Sequence, residues 1–270
     1  MASDPASATS DKLQLDACAL YRALMSGGAT SVNSRDREKV PTLGGNLLYA
    51  GELDSHGRAM VIAGNVSGCA TLAATAEPTA QKLVIRDGVV DFVVTSLDEA
   101  LRVLKNEIRK RATVAVCVSE APSTVEREMI ERGVLPDLVF AGVPCEGRSM
   151  PHFGVGSREI RCAEPASSRA VVTWQVAHAP ARWMAKLDEI ALDCLASDWR
   201  AQRWIRLSPR YCGRMAQAQR TLYCDPESAE KIIAAFTAKV RAGEIEIEVA
   251  ASLLIDGETK VFRLSPTAAD

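Results

Sequence analysis

Between Gly57 and Ala141, short apolar runs alternate with segments of helical spacing, and this alternation constrains the fold more than any other property of the chain. Arg58–Ala63 (RAMVIA) reads as a buried strand, followed by a glycine-containing turn at Gly64–Gly68 and a small-residue, helix-compatible stretch, Cys69–Ala76. Gln81–Arg86 and Val89–Thr95 read as the second and third strands. Ser96 then caps a helix whose apolar positions Leu97, Leu101, Leu104 and Ile108 follow helical spacing. Glu99 completes a capping box, and the last turn is basic, which suits the helix dipole. Thr113–Val118 is a β-branched strand, Ser123 or Thr124 opens a helix that stops at Gly133, and Leu138–Ala141 follows as a strand. Strands separated by helices imply βαβ units, hence an α/β domain with a parallel sheet covered on both faces.

The remainder has a different rhythm. Pro144–Pro165 combines glycine, proline and charge without periodicity and reads as a loop, a linker or a functional lid. Beyond it, Ala170–Val176, Trp204–Ser208 and Gln219–Cys224 read as strands, Ala181–Trp199 as an amphipathic helix, and Pro226–Ala242 as a helix with proline at its first position. Glu244–Leu254 and Lys260–Leu264 form an expected hairpin across Asp256-Gly257. The predicted organisation is a flexible leader and short helix over 1–44, the α/β domain over 45–145, a loop or linker over 146–165 and an α+β lobe over 166–270.

Composition narrows the partners. With 32 Lys and Arg against 34 Asp and Glu, the net charge of −2 gives no basic field to hold nucleic acid or an anionic membrane. Met1–Asp11 has neither the basic nor the apolar region of a signal peptide, and the apolar runs are strand-length, so the expected location is cytoplasmic. The eight cysteines are dispersed, without a CxxC pair, which suits reduced thiols. With three histidines and no close ligand pairs, no metal site is expected.

Several residues stand out chemically. A strand, a glycine turn and a helix N-terminus form the geometry that binds pyrophosphate, and here they would present Gly64, Ser67, Gly68 and Cys69. A purely structural turn is the competing reading. The acidic ribose anchor expected after the second strand falls at Asp87, beside Arg86. Cys69 at a helix start would be either an activated thiol or a small packed residue. His152, between Pro151 and Phe153, is the candidate for proton transfer or else a surface histidine, whereas His56 and His178 read as structural or solvated. Arg206, Arg210, Arg214 and Arg220 surround Tyr211 and could clamp a carboxylate or phosphate, or line an exposed face. The four tryptophans, all in the second half, read as core anchors.

The stretch Gly51–Ala141 resembles the NAD-binding domain of urocanase (urocanate hydratase). The likeness rests on GELDSHGRAMVIAGNVSGCATLAA at Gly51–Ala74, LDEAL at Leu97–Leu101 and ERGVLPDLVFAG at Glu131–Gly142, with a fainter echo at Trp204–Ile232. The resemblance implies a Rossmann-like fold, a dimer, and NAD used as an electrophile in hydrating a small conjugated, imidazole-type acid. The dinucleotide would then lie over Gly64–Cys69, with Ser119, Glu120 and Ala121 approaching from a neighbouring strand end and the loop Val143–Gly156 closing over the substrate. His152 would move the proton, and Arg210 or Arg214 would hold the substrate carboxylate. Departures fall at functional places. The glycine turn is thinned, Thr173 stands where the family's Arg-x-Cys-Trp has cysteine, and Ser208–Gly213 only loosely matches a His-His-Gly-Gly-Gly loop. The chain is also shorter than a full urocanase. Three readings follow: a shortened, divergent urocanase-like hydro-lyase that binds NAD, a catalytically degenerate relative that binds a ligand or another subunit, or an unrelated nucleotide or coenzyme A binder.

Overall fold

A computed structural model describes residues 5–27, 42–141, 153, 156–161, 169–195 and 197–266. The chain divides into two compact units, Ala19–Ala163 and a second formed by Met1–Cys18 with Glu164–Asp270. The first helix, α1 (Pro5–Gly27), contributes residues to both. None of the described helices is long and apolar enough to cross a membrane.

The first unit is a six-stranded parallel sheet. Its strands are β1 (Leu47–Glu52), β2 (Ala70–Ala74), β3 (Phe92–Val94), β4 (Val114–Val118), β5 (Leu138–Ala141) and β6 (Arg158–Arg161), in the order β3-β4-β2-β1-β5-β6. The helices between them are α2 (Ser55–Ser67), α3 (Pro78–Arg86), α4 (Leu97–Lys110) and α5 (Pro122–Glu131). The unit is therefore α/β and Rossmann-like, as the alternation implies, but three of the predicted elements change type and two strands are new: β1, and β6, which falls within the expected loop Pro144–Pro165.

Two of those changes share one physical source, burial on every side. RAMVIA is the body of α2, not a strand: from Ala59 to Ser67 every residue of this helix is buried, so its apolar run has no polar face to reveal a period of 3.6. CATLAATA contains β2, a central strand buried at all five positions, whose small side chains fit between helices on both sheet faces. QKLVIR belongs to α3, which opens with Glu77 as cap and Pro78 in the first turn. Leu47–Glu52, absent from the sequence reading, is β1.

Side-chain alternation divides the sheet between two helical layers. Leu47, Tyr49, Leu72, Val116 and Val139 pack with Leu101 and Leu104 of α4 and Val125 and Met129 of α5. On the opposite face α2 lies close to the strands because Gly64 has no side chain. A β-carbon there would sit 2.6 Å from Thr71 Oγ1 and 2.7 Å from Leu48 Cδ2.

The second unit carries an antiparallel sheet of β7 (Ala170–Val176), β8 (Gln219–Cys224), β9 (Val249–Ile255) and β10 (Glu258–Leu264), ordered β10-β9-β7-β8. Three helices accompany it, α6 (Pro180–Cys194), α7 (Trp199–Tyr211) and α8 (Pro226–Arg241). The hairpin across Asp256-Gly257 and the helix beginning at Pro226 form where predicted. Trp204–Ser208, expected as a strand, lies inside α7, where Trp204, Ile205 and Ser208 make the buried face.

Ala170, Val172, Trp174 and Val176 form the buried face of β7. Trp174 meets the Phe236 ring edge-on at 5.7 Å. Opposite Trp174 on β8 is Arg220, buried, whose Nε and Nη2 donate to Asp188 Oδ2 at 3.1 and 2.8 Å while Nη1 donates to the carbonyls of Ala216 and Gln219. Burial pushes the Asp188 carboxyl up to about 6, with Arg220 and the Trp174 indole opposing the rise.

Two expectations follow. Gly64→Ala should destabilise the protein by roughly 1–3 kcal/mol in urea denaturation, because the strand atoms beneath it must move. Arg220→Ala strands a buried carboxylate and two carbonyls and should cost roughly 3 kcal/mol or more at neutral pH. Without the guanidinium, Asp188 takes up its proton at a higher pH than in the wild type. The penalty should therefore shrink as the pH falls towards about 6 and level off below it, which denaturation curves at several pH values would show.

Candidate functional site

In open parallel sheets, ligands bind beyond the carboxyl ends of the strands, where the strand order reverses. Here β1 leads through α2 to β2 on one side, while β5 lies on the other side of β1 and leads on to β6, so the reversal falls between β1 and β5. The described segment at that point is the β1–α2 turn, Gly51-Glu52-Leu53-Asp54-Ser55-His56-Gly57.

This turn is closed by its own residues. Asp54 is the N-cap of α2, and its Oδ1 accepts the Gly57 N–H at 2.8 Å. Leu53 is buried, and its N–H donates to the Ala74 carbonyl at 3.3 Å, tying the turn to β2. Gly57 is the tightest point: a β-carbon there would lie 1.7 Å from the Glu52 carbonyl oxygen. Gly51, at φ 70°, supplies the left-handed backbone at the register irregularity near the end of β1.

The neighbouring turns are closed in the same way. Glu77 caps α3, accepting from Thr79 N at 3.3 Å, and Thr75 Oγ1 accepts from Glu77 N. Ser96 caps α4 by accepting from Glu99 N, while the Glu99 carboxylate accepts the N–H and hydroxyl of Thr95. Those bonds hold the Glu99 carboxyl below its ordinary value. Behind the turns, burial pushes the Cys117 thiol up to about 12 and keeps it an inert, packed group. Tyr49 donates to Glu126 at 2.9 Å, and burial first, then that carboxylate, raises its hydroxyl far out of the physiological range.

The residues chosen from sequence are placed differently. Gly64 and Ser67 lie in the last turns of α2, Gly68 is its left-handed C-cap with φ 94°, and Cys69 is buried just before β2. The glycine turn therefore joins a helix to a strand, not a strand to a helix, so it presents helical carbonyls and lies at the amino end of β2. The pyrophosphate geometry assigned to Gly64, Ser67, Gly68 and Cys69 is absent, and Cys69 has no helix N-terminus beside it. Ser119 and Glu120 do follow the carboxyl end of β4, but residues 64–69 lie at the amino end of the neighbouring parallel strand β2, so the structure does not bring them together.

Asp87 is a structural anion. It accepts from Arg58 Nη2 at 2.9 Å and Arg86 Nε at 3.2 Å, at the C-terminus of α3. The acidic residue that does follow the second strand of the sheet is Glu77, twenty positions after Gly57, and it was hidden by the misplaced strands. His56, read as structural or solvated, stands in the first turn of α2 beside Asp54. The signal that could have revealed this region is Asp54 followed by Ser55, His56 and Gly57 and then, past Arg58, by the apolar run Ala59–Ala63, a helix-start pattern.

His152 and most of the loop Val143–Gly156 lie outside the described residues. Arg210 stacks over Tyr211 at 5.4 Å near the end of α7, and Arg214 falls in a short 3-10 turn, Gly213–Ala216, with its side chain outside the described part. Arg220 is committed to Asp188. Thr173 shares a 2.5 Å hydrogen bond with Ser252 across β7 and β9, a cross-strand pair in a sheet interior. Ser208–Gly213, compared with a glycine loop, is mostly the last turn of α7. Among the described residues no group of three or more His, Cys, Asp or Glu side chains could hold a metal ion.

Residues 26–146 match the family model described as Urocanase: Urocanase Rossmann-like domain. This part of the chain is similar to a urocanase Rossmann-like domain. The match spans all of β1 to β5 and so includes the Gly51–Gly57 turn. That turn does not fit a dinucleotide. A pyrophosphate needs free N–H groups and positive potential at the start of α2. Here Asp54 occupies the Gly57 donor, Glu52 adds a second carboxylate, and buried Leu53 replaces open backbone.

Removal of the cap tests its contribution. Asp54→Ala should lower stability by roughly 1 kcal/mol in chemical denaturation, and Asp54→Asn, which retains an accepting oxygen, should lose much less.

Proposed function

We propose that this chain is a catalytically degenerate urocanase relative that works through binding, to a small ligand or another subunit, rather than through NAD-dependent hydration. The observation that carries this reading is the self-capped, acidic β1–α2 turn at the strand-order reversal, where a pyrophosphate-binding site would require empty donors. Two features of the second unit support it. The position compared with the family's catalytic cysteine is Thr173, held in a sheet hydrogen bond. Arg220, one of the arginines available to clamp a carboxylate, is buried in an ion pair.

The competing reading, an active hydro-lyase using bound NAD, requires phosphate contacts that Gly64, Ser67, Gly68, Cys69 and Asp87 do not offer from their positions in α2, its cap and the Arg58 ion pair. Three carboxylates, Glu52, Asp54 and Glu77, belong to the β1–α2 and β2–α3 turns, and their charge opposes the approach of a dianionic pyrophosphate.

The test is direct. Protein purified natively should carry no dinucleotide by mass spectrometry, calorimetric titration with NAD should give no heat of binding up to millimolar concentrations, and urocanate should keep its ultraviolet absorbance when incubated with protein and NAD. Co-purified NAD, micromolar affinity or urocanate consumption would each overturn the proposal.

A further inference from the structure

The sheet face that carries α4 is not covered out to its edge. α4 packs mainly over β4 and β2, and Val94 of the edge strand β3 joins the same apolar cluster. Phe92 lies two residues earlier, hence on the same side of β3, yet it is 48% exposed. Its ring borders an open cleft of about 700 Å³ between the start of β3, the middle of α4 and the start of β4. Val103 and Val114 give this cleft an aliphatic wall, and Arg102 and Asn106 of α4 line it as well. Its volume is that of a small-molecule site, for which roughly 300–1,000 Å³ is usual.

The charges around the cleft are paired, with one exception. Asp91 Oδ2 accepts the Ala115 N–H at 2.8 Å. Glu107 Oε1 accepts from Lys110 Nζ at 2.7 Å and from Asn106 Nδ2 at 2.8 Å. Arg102 has two carboxylates within helical reach, Asp98 and Glu99, but both are engaged elsewhere. Asp98 Oδ1 accepts from Arg132 at 2.6 Å, and the Glu99 carboxylate accepts the N–H and hydroxyl of Thr95. Among the described residues no carboxylate lies within ion-pair distance of Arg102. A lone surface arginine is merely solvated. This one shares a concave surface with an exposed aromatic ring and an aliphatic wall, which water serves poorly.

We propose that this cleft binds a flat, apolar acid with a single negative charge, an aromatic monocarboxylate, its ring against Phe92 and Val103 and its carboxylate on the Arg102 guanidinium. The planar guanidinium can donate two parallel N–H bonds to a carboxylate, and the second amide hydrogen of Asn106 offers another. An edge-on or offset ring contact with Phe92 adds to the burial of apolar surface. The rim sets the charge: Asp91 and Glu107 would repel a dianionic phosphate ester, while a neutral ligand would leave the guanidinium unpaired. The cleft lies at the amino ends of β3 and β4, whereas the β1–α2 turn lies at the carboxyl end of β1. The site therefore stands apart from the proposed loss of NAD chemistry, and it holds its ligand without transforming it.

Amide chemical-shift titration of the full chain with sodium 2-naphthoate tests the site. Saturating shifts should centre on Phe92, Val103, Asn106 and Thr113, with a Kd of about 1 mM or tighter, the range open to a ligand of this size. Arg102→Gln and Phe92→Ala should each weaken binding by roughly fivefold or more. Both side chains are exposed, and the spectrum of each ligand-free variant shows whether it is folded; if one is not, the other decides. Neutral 2-naphthalenemethanol should bind roughly fivefold more weakly than naphthoate, and 2-naphthyl phosphate no more tightly than naphthoate. Shifts that do not saturate, or that centre elsewhere, overturn the proposal. So do folded variants that bind like the wild type, an alcohol that binds as well as the acid, or a phosphate ester that binds better. None of these outcomes alters the calorimetric result with NAD.

Discussion

The first unit depends on how closely α2 lies against its sheet. Gly57 and Gly64 are seven residues apart, two helical turns, and so share the face of α2 that meets the strands. Neither position has room for a methyl group: at one the obstacle is the Glu52 carbonyl, at the other Thr71 and Leu48. The first contact sets the path of the chain as it leaves β1, and the second sets the distance between helix and sheet. Together they fix the start of α2 at the carboxyl end of β1, where an α/β fold would place its ligand. The bare backbone of these two glycines thus serves the packing of helix on strand.

Parts of the fold were legible because they face two environments. α4 shows its period openly, since Leu97, Leu101 and Leu104 are buried while Asp98, Arg102 and Lys105 are in water. The β9–β10 hairpin announced itself through Asp256-Gly257, and α8 through Pro226. α2 and β2 were read as the wrong element types for the opposite reason. Both are buried on every side, so a helix of Ala, Met, Val and Ile and a strand of Ala, Thr and Leu lose their periodic signatures. β-branched residues then suggested a strand at Arg58–Ala63, and small residues suggested a helix at Cys69–Ala76.

That exchange moved the candidate site from one end of the sheet to the other. With α2 taken for a strand, Gly64 to Gly68 looked like the phosphate turn, when they are a helix terminus and its left-handed cap. The family likeness was legible despite the error, because it rests on the order of segments and not on their secondary structure. The site was less legible. Its distinguishing residues, Glu52, Leu53 and Asp54, depart from a glycine-rich turn, and their meaning appears only when Asp54 is seen holding the Gly57 N–H.

A helix N-terminus attracts negative charge whatever the source, and a carboxylate one residue outside the helix satisfies it at no cost of association. Once Asp54 fills that role, an external anion must displace a side chain that is permanently at hand and approach past Glu52. The bond stabilises the turn and removes the donor that a phosphate would need. Fold stability and cofactor affinity therefore compete for a single N–H. Whereas a glycine at this position leaves that donor to a ligand, an aspartate keeps the same sheet, helix and turn while withholding it. A Rossmann-like fold can persist in this way whether or not its first turn offers donors to a dinucleotide, and so the domain's architecture by itself says little about its chemistry.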